Sequence, residues 1–222
     1  DRRESITEWL SARYGIDSEL LDPERHVLPL QGSREGLFAI AQVLVDNSAG
    51  VNPLVALPSP FYQIYEGAAI LAGAEAKYIP CDSNTGFSLD FSHVSEKQWQ
   101  RCQLLYLCSP SNPTGYVATR AEYQALLTLA DRYDFTIVSD ECYSEIYYEE
   151  SQPSLGLLQV CQELGRDDFS RCLVFNSLSK RSNLAGMRSG FVAGDAKLIK
   201  AFLHYRTSVS YTHLRAHETV RN

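Results

Sequence analysis

Three short segments of this 222-residue sequence place reactive side chains directly behind apolar runs. Behind Leu104–Cys108 comes Ser109-Pro-Ser-Asn112-Pro113-Thr-Gly115, a turn sequence that presents one amide side chain. Behind Phe135–Ser139 comes Asp140-Glu-Cys-Tyr143, a carboxylate followed by a phenol. Behind Cys172–Phe175 comes Asn176-Ser177-Leu-Ser179-Lys180, a lysine preceded by two hydroxyls. Singly, each has a plain structural reading: an Asp at a strand end caps a helix, a loop lysine is solvated, and Asn-Pro starts a turn. If the apolar runs are strands of one parallel sheet, all three segments emerge on its ligand-binding edge, beyond the carboxyl ends.

Together these groups suit one cofactor. A lysine amine can form a Schiff base with an aldehyde, a carboxylate can keep a pyridine nitrogen protonated, and a phenol and an amide can hydrogen-bond a ring hydroxylate. That set describes pyridoxal 5'-phosphate. Its phosphate requires backbone N–H groups at a helix start together with hydroxyls and a guanidinium. Gly32-Ser33-Arg34, Ser177, Ser179 and Arg188 could provide them.

The elements that must position these residues follow from periodicity. Glu4–Tyr14 carries Ile6, Trp9 and Leu10 at helical spacing, with the pattern already under way at Asp1. Arg34–Val45 carries Leu37, Ile40, Ala41 and Val45 on one helix face, with Gly32-Ser33 in front as turn and cap. Apolar runs then alternate with helical patterns. The runs are Leu54–Leu57, Ala76–Pro80, Leu104–Cys108, Phe135–Ser139 and Cys172–Phe175, and the helical patterns are Tyr62–Ala72 and Arg120–Tyr133. Strands apolar on both faces, separated by helices, predict an α/β fold whose mostly parallel sheet is flanked by helices. No internal repeat and no Pro/Gly/Ser-rich linker divides residues 30–206.

Composition narrows the partners. Lys plus Arg (20) minus Asp plus Glu (27) gives a net charge of −7, a field that repels nucleic acid and anionic membrane alike. No apolar run approaches the ~20 residues that span a bilayer, and Asp1-Arg-Arg-Glu-Ser lacks the apolar core of a signal peptide. Six cysteines (Cys81, Cys102, Cys108, Cys142, Cys161 and Cys172) show neither a CxxC pair nor zinc spacing, which fits reduced thiols and a cytoplasmic setting. His213 and His217 stand four apart in the tail, yet no third ligand is near, so no metal is expected.

The motifs also carry a resemblance. Ser109-Pro-Ser-Asn-Pro-Thr-Gly115, Ser139-Asp-Glu-Cys-Tyr143 and Ser177-Leu-Ser-Lys-Arg-Ser-Asn-Leu-Ala-Gly-Met-Arg188 look like the signature blocks of fold-type I, class I/II aminotransferases, in matching order and spacing, over about residues 1–207. The resemblance implies that Lys180 is the Schiff-base lysine and Asp140 the partner of the pyridine nitrogen. It further implies that Tyr143 and Asn112 bind the ring hydroxyl and that Tyr62 stacks on the ring. Ser177, Ser179 and Arg188, with the amides of Ser33 and Arg34, would hold the phosphate. Gly32-Ser-Arg-Glu-Gly-Leu-Phe38, Pro60-Phe-Tyr-Gln-Ile-Tyr-Glu-Gly-Ala-Ala69, Ser139-Asp-Glu-Cys-Tyr-Ser-Glu-Ile-Tyr147 and Ser179-Lys-Arg-Ser-Asn183 are similar to bacterial N-succinyldiaminopimelate aminotransferases. That likeness implies amino transfer between glutamate/2-oxoglutarate and N-succinyl-LL-2,6-diaminopimelate, in lysine biosynthesis.

Members of that family are nearly twice as long. The resemblance implies an amino-terminal arm before Asp1, a smaller carboxyl-terminal domain after Ala196–Tyr205, and a homodimer. The chain is therefore read as a fragment, inactive alone, comprising a partial cofactor-binding domain over residues 1–207 and a non-homologous tail over 208–222. Other readings stay open at this point. The same cofactor serves aminotransferases of other specificity and carbon–sulfur lyases, and Ser177-Leu-Ser-Lys180 also fits the S-x-x-K of serine hydrolases, although their Ser-Asp-Asn and Lys-Thr-Gly partners are missing. No G-x-G-x-x-G or G-x-x-x-x-G-K supports a nucleotide site.

Overall fold

A computed structural model describes residues 1–209. His213, His217 and all of the expected tail except Ser208 and Val209 lie outside the described residues. Seven strands form one sheet: β1 (Val27–Leu30), β2 (Leu54–Ser59), β3 (Glu75–Pro80), β4 (Cys102–Cys108), β5 (Thr136–Asp140), β6 (Cys172–Ser177) and β7 (Gly190–Gly194), in the order β1-β7-β6-β5-β4-β2-β3. The helices are α1 (Arg2–Tyr14), α2 (Pro23–His26), α3 (Ser33–Leu44), α4 (Ile64–Leu71), α5 (Glu96–Trp99), α6 (Arg120–Tyr133), α7 (Leu157–Glu163), α8 (Leu178–Arg181) and α9 (Ala196–Val209).

The run from β3 through β2, β4 and β5 to β6 is parallel, as the alternating pattern predicts. Strands β1 and β7 have no sequence signal. Strand β7 pairs antiparallel with both β6 and β1, and residues 178–189, which join it to β6, carry α8 and a 3-10 turn. Its Gly-Phe-Val-Ala-Gly sequence and the Val-Leu-Pro-Leu of β1 are too short for either period to register.

Both sheet faces are covered, and the strands divide their side chains between two cores with a period of two. Leu105, Leu107, Ile137, Cys172 and Val174 join Leu10, Tyr14, Tyr123, Leu127 and Leu158, which come from α1, α6 and α7. Leu104, Tyr106, Val138, Leu173 and Phe175 join Leu37, Ile40, Tyr65, Ala68 and Phe202, from α3, α4 and α9. Full burial of each such Leu or Phe stabilises the fold by roughly 1.5–3 kcal/mol, so the sheet's centre is the rigid part of the molecule. All six cysteines are free and buried, as the sequence leads one to expect. Among the described residues no helix is long and apolar enough to cross a membrane, and no group of His, Cys, Asp or Glu is arranged to hold a metal.

Helix ends refine the expected boundaries. Asp1 is the N-cap of α1, in a capping box with Glu4, and so stands before the helix, not inside it. Helix α6 starts at a Thr119–Glu122 capping box, as its sequence suggests. Helix α3 differs: Gly32 is its N-cap, at φ 101°, and no side chain caps it. Ser33, expected as part of the cap, is the first helical residue, and its hydroxyl accepts a hydrogen bond from the Cys142 thiol at 3.0 Å. Tyr62 stands before α4 and not within it.

Candidate active site

Register aligns the strand ends. Cys108 pairs with Asp140, and Asp140 with Phe175, so the segments after β4, β5 and β6 leave the sheet along one edge. There they enclose an open cavity of about 480 Å3. Its walls hold all ten residues to which the family resemblance gives a role: Ser33, Arg34, Tyr62, Asn112, Asp140, Tyr143, Ser177, Ser179, Lys180 and Arg188. Cys142 and Ala185 complete it.

Asp140 forms the floor. It ends β5, is 4% exposed, and accepts hydrogen bonds from the Tyr65 hydroxyl at 2.7 Å and the Cys142 amide at 3.2 Å. Burial pushes its carboxyl above the usual range, and these two donors pull it back. A cation brought against it would draw it down further. Sequence reasoning misses Tyr65, because it sits on the apolar face of α4 and reads as core. It is in fact core and site at once: its ring stacks on Tyr106 at 4.7 Å between centroids while its hydroxyl reaches the carboxylate. Burial and the adjacent Asp140 charge hold that phenol protonated.

Asn112 is fixed by its turn. Its amide N–H donates to the Cys108 sulfur at 3.4 Å, and Ser111 N–H to the Tyr116 carbonyl at 2.8 Å. Tyr143 stands half-buried on the cavity wall, its phenol pushed up by burial and then by Cys108 and Asp140 nearby. Lys180 lies in the four-residue α8, with its Nζ 5.9 Å from the centroid of the Tyr143 ring. Ser177 caps that helix, accepting from the Ser179 amide at 3.1 Å and donating to the Ser179 hydroxyl at 2.9 Å.

Cations and amides gather at the other end. The uncapped start of α3 presents the positive end of a twelve-residue helix. Arg188, at φ 46° after a 3-10 turn, lays its guanidinium across Gly32: a Cβ at Gly32 would come within 2.4 Å of Nη2. The positive φ favours glycine there, and any side chain would also push the guanidinium aside. This cradle, with the Ser177 and Ser179 hydroxyls beside it, has the donor chemistry of a phosphate site. A buried carboxylate stands apart from it and an amine lies on the cavity wall. The residues present fit pyridoxal phosphate.

Comparison with known proteins agrees. Residues 1–217 match the family model for aminotransferase class I and II. The chain belongs to that family. An aminotransferase structure from Neisseria meningitidis Z2491 shares 45% identity and a TM-score of 0.88, covering 94% of this chain and 51% of that one. A probable N-succinyldiaminopimelate aminotransferase from Thermus thermophilus shares 30% identity and a TM-score of 0.82, covering 93% and 52%. An LL-diaminopimelate aminotransferase of Moorella thermoacetica is 32% identical over 208 residues, 93% of this chain and 50% of the relative. The chain spans about half the length of the curated relatives it matches.

Class I and II aminotransferases depend on pyridoxal phosphate, the cofactor to which the strand ends point. The S-x-x-K hydrolase alternative falls with this membership. In the structure the Ser177 hydroxyl is engaged as the cap of α8.

Proposed function

We propose that residues 1–207 are part of the cofactor-binding domain of a longer, homodimeric, cytoplasmic aminotransferase, in which Lys180 carries the cofactor covalently through Nζ. The observation that carries this reading is the convergence of all ten sequence-derived residues, from Ser33 to Arg188, on one cavity. When bound, pyridoxal phosphate supplies an aldehyde and a ring that draws electrons from the substrate's α-carbon. Asp140 keeps a proton on the ring nitrogen, and its burial makes that charge pair strong. Tyr143 and Asn112 orient the ring hydroxyl, and Tyr62 covers a ring face. The amides of Ser33 and Arg34, with Ser177, Ser179 and Arg188, bind the phosphate. The Lys180 amine would be the base that takes the proton from the substrate's Cα.

For substrates we propose glutamate/2-oxoglutarate and N-succinyl-LL-2,6-diaminopimelate. The quoted sequence likeness and the name of the Thermus neighbour support this choice. A second reading, LL-diaminopimelate itself, is favoured by the names of the curated relatives. Both predict that the 222-residue chain alone turns over nothing. Productive deprotonation needs a grip on the substrate's α-carboxylate, and the family likeness assigns that grip to an arginine of the smaller carboxyl-terminal domain, not to a residue of this cavity wall.

Borohydride reduction of the cofactor-loaded protein should fix the label on the peptide containing Lys180, and Lys180→Ala should abolish it. Label recovered on Lys77, Lys97, Lys197 or Lys200 would sink the assignment. Assay of the full-length protein with glutamate and the keto acid of each diaminopimelate derivative decides between the substrates. Thiol release from a sulfur amino acid, without formation of glutamate, would make it a lyase instead.

A further inference from the structure

Beside the phosphate end lies a wider cavity of about 650 Å3, which shares Arg34 and Arg188 with the first and is also lined by Glu35, Tyr205 and Arg206. Arg206 comes from the last turns of α9. Its side chain is 6% exposed and donates from Nη1 to Glu35 Oε1 at 2.8 Å. Its Nε is buried with no hydrogen-bond partner among the described residues, and its guanidinium carbon lies 5.7 Å from the centroid of the Phe202 ring. Burying a guanidinium is costly unless it is paired, and its one ion pair among the described residues is with Glu35.

Glu35 is the acidic residue of the first turn of α3, directly after the two residues that line the cofactor cavity. A carboxylate in that turn is attracted by the helix dipole, but it opposes any other anion bound at the same end. A phosphate monoester dianion on Ser33 and Arg34 would meet a like charge within one helical turn. Arg206 removes that conflict. Its pairing with Glu35 sets a positive charge against the opposing one and ties the start of α3 to α9.

We propose that Arg206 is a positioning residue of the phosphate site, which neutralises Glu35 and so lets the start of α3 accept a phosphate dianion. This rests on the reading that Ser33, Arg34 and Arg188 hold the phosphate. The sign of each substitution tests it. Binding of pyridoxal phosphate, of inorganic phosphate and of phosphate-free pyridoxal would be measured on the 222-residue chain and its variants. Arg206→Met should weaken pyridoxal phosphate and inorganic phosphate by about fivefold and leave pyridoxal unchanged. Glu35→Gln should tighten both phosphate ligands by about two- to fivefold, and the double variant should return to within about twofold of the parent.

A packing role predicts otherwise. Glu35→Gln that weakens binding, a double variant no better than Arg206→Met, or an equal loss for pyridoxal would overturn the proposal. If Arg206→Met loses its helical circular dichroism, the Glu35→Gln arm decides alone: tightening supports the proposal, and no change or weakening overturns it. Arg188→Ala separates the two levels of the argument. Unchanged phosphate binding in that variant would sink the phosphate-site reading itself, whereas weakened binding there with no effect at Arg206 or Glu35 sinks only this inference.

Discussion

The two ends of the cavity are built on opposite terms. At the Asp140 end the polar groups are already satisfied by this chain: Tyr65 and Cys142 donate to the carboxylate, Tyr106 stacks under Tyr65, and the Tyr106 hydroxyl donates to the Leu37 carbonyl at 2.6 Å. At the phosphate end Arg34, Lys180 and Arg188 make no ion pair among the described residues. Arg188 also stands on irregular backbone, at φ 46°, and the loop before it holds Asn183 at φ 53°. A buried and bonded group keeps its place whatever is bound. Uncompensated cations repel one another and are completed by an anion. Folding sets the electronic end of the site, and the ligand finishes the anchoring end.

The largest effect that could break this comparison comes from Asp140→Asn in the full-length protein. The amide is nearly isosteric but carries no charge, so the fold and cofactor binding should persist. Turnover should fall by at least about 10²-fold, the usual cost of losing one preorganised electrostatic partner. Circular dichroism and steady-state kinetics check the two halves of this expectation. Turnover equal to the parent would reduce Asp140 to a cap.

A smaller loss is expected from Tyr65→Phe. The Phe ring keeps the stack on Tyr106 and removes only the hydroxyl 2.7 Å from the carboxylate. A hydrogen bond to a charged group contributes about 1.5–3 kcal/mol, and part of that persists through the Cys142 amide, so turnover should drop about tenfold. Thermal unfolding should shift down with it, because a buried carboxylate loses a donor. A loss as large as that of Asp140→Asn would give Tyr65 a direct part in the chemistry. No loss at all would mean that the Cys142 amide alone positions Asp140.

These residues also show what the sequence can reveal. Asn112, Asp140 and Lys180 are legible because each follows an apolar run, and a parallel sheet delivers all such positions to one edge. Arg188 and Ser33 are legible through spacing to Lys180 and to a helix start. Tyr65 is not, since an aromatic on an apolar helix face gives no sign that its hydroxyl meets a carboxylate 75 residues away. The capping role expected of Ser33 fails for a related reason. A Ser before a helical pattern is statistically a cap, and only the packing of Cys142 against it shows that Gly32 takes that place. Strands β1 and β7 escape because they are only four and five residues long, too short for a period of two to register.

Glu141 sharpens the comparison most finely, because it adjoins Asp140 in sequence and differs from it in purpose. It is also fully buried, but it points to the α1 and α7 side, accepting from the Leu157 amide at 2.8 Å, the Ser139 hydroxyl at 3.1 Å and the Tyr14 hydroxyl at 3.1 Å. Burial pushes its carboxyl up to about 7 despite these donors and the nearby Arg13. In the unfolded chain a glutamate titrates near about 4.3. The folded state therefore binds the proton more tightly, and stability from this group is fully present below about 4.3 and is lost as pH rises through about 7. A carboxylate with a depressed value would show the reverse. Glu141→Gln cannot titrate, so turnover should change little. Its unfolding free energy relative to the parent should rise with pH across that window, by at most about 1.4 kcal/mol per pH unit, and level off above about pH 8. Asp140 is also raised, but it is present in both proteins and cancels in the difference. Denaturant unfolding of the cofactor-free chain and its variant at intervals from about pH 5 to about 8 reads this directly. A difference that does not vary with pH would place the Glu141 carboxyl in the ordinary range, with its hydrogen bonds outweighing burial.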